Sequence, residues 1–143
     1  LRNDDAAGML VAREIQHREQ AADASHLLVI QAGHAPENVT GELRSFAPEL
    51  ILLIDAADMR DVPGTICWVP IQSIEGMSAS THSLPLSMLA RYLTLELHCM
   101  VALIGIQPKS NEFGEIVSAE VSQAIDEIVE EICNMCFALK PIH

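Results

Sequence analysis

The stretch LILLID, residues 50–55, constrains this chain more than any other part of it. Five consecutive apolar residues ending in an acid are too short to cross a bilayer, and they lack the polar alternation of a strand with one wet face. A run of this kind is that of a strand covered on both sides. A second, MVALIGI at 100–106, stops at Pro108, and a third, TICWVP at 65–70, is bounded by Pro63-Gly64 and Pro70. Covering two faces requires helices above and below, and the sequence supplies them. AAGMLVAREIQH at 6–17 is moderately amphipathic, with Asn3, Asp4 or Asp5 as N-cap. ENVTGELRSFA at 37–47 is a weaker helix, and SLPLSMLARYLTLEL at 83–97 tolerates Pro85 in its first turn. In the segment 118–139, Val121, Ala124, Ile125, Ile128, Val129 and Ile132 recur at helical spacing. HLLVI at 26–30 is a short apolar run that leads into the loop QAGHAP. The alternation predicts one domain over 1–143 of the α/β class: three layers, an open, mostly parallel twisted sheet with helices on both faces.

At 143 residues, half of them apolar, the chain can bury a substantial core. A net charge of −12, from 20 acidic and 8 basic residues, argues against a nucleic-acid partner, since affinity for a phosphate backbone comes mostly from Lys and Arg. No apolar stretch is long enough for a membrane span and no signal segment heads the chain, so we expect a cytoplasmic monomer with no membrane partner. Of four cysteines, Cys67 and Cys99 fall in apolar, strand-like runs, where a free thiol behaves as a small hydrophobe. Cys133 and Cys136 form a C-x-x-C late in the last helix, away from the helix N-terminus that would favour a thiolate. We expect core or edge cysteines there, and the charges of DEIVEE on the wet face of the same helix.

Open α/β sheets bind ligands beyond the carboxyl ends of their strands. Asp55 ends LILLID, where a carboxylate is costly unless it pairs, binds a metal or reaches solvent. It could equally cap the following turn, AADM. Asp5 directly precedes the first helix and could be its N-cap. His82, in SASTHSLPL, lies between strand and helix among small polar residues, where a solvated loop histidine is the simpler reading. Together Asp5, Asp55 and His82 make an O, O, N donor set suited to borderline transition ions rather than magnesium or calcium. No glycine-rich phosphate loop and no nucleophile elbow beside His82 and Ser83 compete with that set.

The succession NDDAAG, APEN, LLIDAADM, PG, STHSLPL and GIQP, closed by FGEIVSAEV ahead of the last helix, resembles the nickel-iron hydrogenase maturation endopeptidase family over nearly the whole chain. The resemblance implies an α/β fold and a protease that removes a C-terminal extension from the precursor of the hydrogenase large subunit. It implies a cut made only after nickel insertion, with the nickel supplied by the substrate and zinc or cadmium as stand-ins. The family's metal-contacting acid in the first loop falls on Asp5, its strand-end aspartate on Asp55 and its histidine on His82, with Asp4 as cap or support. Family members carry a short apolar strand ending in Gly-Asn ahead of the segment matching LRNDD, so a sheet whose first strand is missing from this chain is expected. Where the family usually has an aspartate this chain has Gln31, which keeps hydrogen bonding and loses the charge.

Two other readings stand beside this one. A phosphoacceptor receiver would use Asp4 and Asp5, Asp55, Thr81 or Ser83, and Lys109, but it expects Lys before Pro where the sequence has Pro108 before Lys109, and it leaves His82 without a role. A catalytically impaired or truncated relative of the peptidases is the other.

Overall fold

The computed structural model describes residues 6–22, 26–31, 39–70, 78–79, 86–109 and 117–138. In chain order the elements are α1 (Ala7–Ala22), α2 (Thr40–Phe46), β1 (Leu50–Asp58), β2 (Ile66–Pro70), β3 (Ser78–Ala79), α3 (Leu86–Leu97), β4 (Met100–Ile106) and α4 (Ala119–Ala138). The strands form an open sheet in the order β2-β4-β1-β3. Helices cover both faces, as the alternation predicts. On one side Val11 and Ile15 of α1 pack with Ile104 and Ile106 of β4 and with Val121, Ile125, Val129 and Ile132 of α4. On the other, Ala90 and Leu93 of α3 pack on Val69, Val101 and Leu103. Apolar residues on α4 recur at the expected spacing and are buried, while Asp126, Glu127, Glu130 and Glu131 are exposed. Among the described residues no helix is long and apolar enough to cross a membrane.

The ladders are mixed rather than mostly parallel among the described residues: β1 and β4 pair in parallel, whereas β2 runs antiparallel to β4 and β3 antiparallel to β1. Connection length explains this. The chain leaves β1 and enters β2 through residues 59–65, too few for the crossover of about a dozen residues that a parallel neighbour needs, so it reverses direction. Ahead of β4 a helix, α3, carries the chain back along the sheet. LILLID is half-buried rather than fully buried, and MVALIGI is the strand covered on both faces. The difference follows from position, because β4 lies between two strands, whereas on its far edge β1 meets only the two-residue β3 among the described residues. Residues 27–30 join no ladder, although Leu27 and Val29 pack against the α1–α4 core. The first helix runs five residues beyond the expected His17, to Ala22, and the second is shorter than expected, closing at Ala47 in the left-handed region (φ 55) with its N–H bonded to the Leu43 carbonyl.

Candidate functional site

Asp55 stands within β1 and not at its end: the strand continues to Asp58, because β3 takes up pairing at Ala57 and Asp58. What closes beside Asp55 is the parallel ladder, whose last pair is Ala56 with Ile106. Side chains alternate along a strand. Leu52 and Ile54 join the α1–α4 core and Ile51 and Leu53 the α3 core, so Asp55 is presented on the α3 side. Its register partners on the neighbouring strands are Gly105 and, through Gly105, Cys67. The carboxylate is partly buried, and its Oδ1 accepts the adjacent Ala56 N–H at 2.8 Å.

The alternative role considered for Asp55, capping the turn that follows, belongs instead to Asp58. Its Oδ1 accepts the Arg60 N–H at 3.1 Å, with Arg60 at φ 55. The Arg60 amide, followed by the Gln107 side chain, holds the Asp58 carboxyl below the usual aspartate range. The turn then closes through Gly64 at φ 86, whose N–H bonds to the Gln107 carbonyl at 2.9 Å. Gln107 was the part of GIQP to which the sequence assigned no function. Among the described residues it is one of two buried polar residues, with Thr40, and its Oε1 accepts the Met59 N–H at 2.6 Å and the Asp61 N–H at 3.3 Å. The signal that could have found it is an amide placed between an apolar strand and a proline, where burial obliges the side chain to find hydrogen-bond partners.

A close backbone approach brings α1 to the same place. An ideal Cβ on Gly8 would lie 2.1 Å from the Ile54 carbonyl oxygen and 3.3 Å from the Asp55 Cα. The first turn of α1 therefore rests on the backbone that carries Asp55. Asp5, the residue before the first described one, lies outside the described residues, as do Asp4 and His82. Of the predicted set, the structure thus positions Asp55. Among the described residues no three His, Cys, Asp or Glu side chains converge as a metal site. Gln31 is exposed and donates from Nε2 to Gln16 Oε1 on α1 at 2.9 Å. Lys109, the receiver reading's lysine, lies 3.3 Å from Glu120 at the start of α4. All four cysteines are free thiols, with Cys99 and Cys133 buried.

The fold is shared with relatives. The family model described as hydrogenase maturation protease matches residues 9–135. A relative from Methanocaldococcus jannaschii is 32% identical over 144 residues, covering 98% of this chain and 85% of its own. The hydrogenase 3 maturation protease of Escherichia coli is 31% identical over 130 residues, covering 90% of this chain and 80% of that one. The crystal structure of the NiFe hydrogenase maturation protease HycI from Thermococcus kodakarensis superposes with a TM-score of 0.81 at 29% identity, over 95% of this chain and 85% of that one. This chain belongs to the hydrogenase maturation protease family. That membership decides against the receiver reading, and the protein is a member of a protease family built on an open α/β sheet.

Proposed function

We propose that this protein is an endopeptidase that removes the C-terminal extension of a nickel-iron hydrogenase large-subunit precursor after nickel insertion, acting as a monomer in the cytoplasm. The observation that carries the reading is the family match over residues 9–135, within which Asp55 occupies the carboxyl end of the parallel ladder. Nickel enters as cargo of the substrate. Asp5, Asp55 and His82 would hold it; two carboxylates and an imidazole are donors that a borderline ion accepts, and zinc or cadmium would substitute. Held there, the ion supplies Lewis acidity toward the scissile carbonyl or a bound water. Water adds to the carbonyl carbon, the C–N bond breaks and the amine leaves with the water's proton. No side-chain nucleophile takes part, so serine- and thiol-directed inhibitors leave cleavage intact.

Gln31, uncharged where the family usually has an acid, favours a second reading, a catalytically impaired relative. One experiment separates the two. The protein is incubated with nickel-loaded and with nickel-free precursor, and the products are weighed by mass spectrometry. The endopeptidase reading expects shortening of the loaded precursor alone, and loss of that shortening in Asp55→Asn. Equal cutting of both precursors overturns nickel recognition, and cutting of neither leaves the impaired relative.

A further inference from the structure

Asp55, Gly105 and Cys67 lie directly opposite one another on three adjacent strands and share the α3 side of the sheet. The middle position has no side chain. The space it leaves beside Asp55 is bordered from β1 and from the turn after it: the Ala57 Cβ and the Met59 Sδ each stand 3.3 Å from where a Cβ on Gly105 would be. Met59 is only partly buried, whereas Ala57 is buried beneath it, so the Met59 thioether is the apolar group that covers Gly105 beside Asp55.

Nothing in β1 places Met59 there, because the ladder has ended at Asp58 and the chain is already turning. Gln107 places it. This side chain is 7% exposed, and besides accepting the Met59 and Asp61 amides it donates from Nε2 to Asp58 Oδ1 at 3.3 Å and to the Pro108 carbonyl at 3.2 Å. An apolar residue could end the strand without desolvating an amide. The amide instead spends all its hydrogen bonds on fixing the turn and its own strand end.

We propose that Met59 is a specificity-determining residue whose thioether receives an apolar side chain of the precursor beside its metal-bearing segment, and that Gln107 is the positioning residue that holds Met59 over Gly105, the register partner of Asp55. The inference rests on the endopeptidase reading and defines part of its substrate-recognition surface.

The test is steady-state cleavage of nickel-loaded precursor by wild type, Met59→Ala, Met59→Leu, Gln107→Leu and Gln107→Glu, each at a temperature where circular dichroism shows it folded. Met59→Ala should raise KM about tenfold with kcat within about twofold of wild type, the size of effect expected from removing a few apolar contacts to substrate. Met59→Leu should keep the wild-type KM. Gln107→Leu should raise KM as Met59→Ala does, and Gln107→Glu, which still accepts both amides, should fall between. Loss of folded protein lowers the apparent kcat by reducing active enzyme and leaves KM where it was, so a purely structural role for Gln107 gives the opposite split. Unchanged KM in Met59→Ala overturns the inference even if Gln107→Leu fails to fold. Absence of cleavage by wild type overturns the endopeptidase reading and this inference with it, whereas cleavage by wild type with unmoved KM in the variants overturns this inference alone.

Discussion

Gly8 lies so close to Ile54 that a methyl group on it would stand 2.1 Å from the Ile54 carbonyl oxygen. Contact this short involves backbone on both sides, so no side chain can swing away to make room. The first turn of α1, buried at Ala7 and preceded by the buried Ala6, is therefore seated on the part of β1 that presents Asp55.

Gly8→Ala should force α1 and β1 apart. Overpacking of this kind costs about 1–3 kcal/mol, and equilibrium urea unfolding measures it. The displacement falls on the backbone of Asp55, so cleavage of nickel-loaded precursor should drop further than in Ile128→Val, a core substitution on α4 of similar or smaller cost, about 0.5–1.5 kcal/mol. A Gly8→Ala protein with the wild-type urea midpoint would contradict the close approach.

Asp58 links the same region to pH. Its carboxyl is held down by the Arg60 amide and then by Gln107, so the folded state releases this proton at lower pH than the unfolded chain does. The stabilisation is fully present above the unfolded value of about 3.9 and is lost as pH falls through the lower, folded value. Asp58→Asn removes the charge at every pH. Its melting temperature should lie below that of wild type near neutral pH, and the difference should shrink in acid as wild type loses its own ionised carboxylate. A gap that stays constant from neutral pH down to about pH 2.5 would mean that the Asp58 charge is not the source of the effect.

The sequence made the layers legible because burial imposes periodicity. Continuous apolar runs marked β1, β2 and β4, and the spacing on α4 named its buried face. It missed β3, since two residues of ladder leave no pattern to read, and it overstated the burial of LILLID, since an apolar run does not say how many neighbours a strand has. The mixed direction of the sheet was implicit in the short 59–65 connection but masked by the general alternation. In the candidate site, Asp55 was visible as an acid at the end of an apolar run, whereas Asp5 and His82, read with it as an O, O, N donor set and given their roles by the family resemblance, lie outside the described residues. The clasp of Gln107 on Met59 joins residues 48 positions apart in the chain, a pairing that only the folded sheet creates.

The C-x-x-C of α4 gives the last prediction. Burial pushes the Cys133 thiol up, against a smaller opposing pull from Arg18, and burial likewise raises Cys136 and Cys99. A thiol reacts through its thiolate, and both C-x-x-C residues lie in the last third of a helix, where the dipole disfavours negative charge. Iodoacetamide at about pH 7.5 should therefore modify Cys99, Cys133 and Cys136 slowly in the native protein, although a free thiol with a pKa near 8.5 reacts readily under those conditions. In urea all of them should react at the rate of a free thiol. Peptide mapping after timed quenching measures each site separately. A native rate at Cys133 above the urea rate would mean that the thiol is activated, and the motif would then have to be treated as redox chemistry rather than core packing.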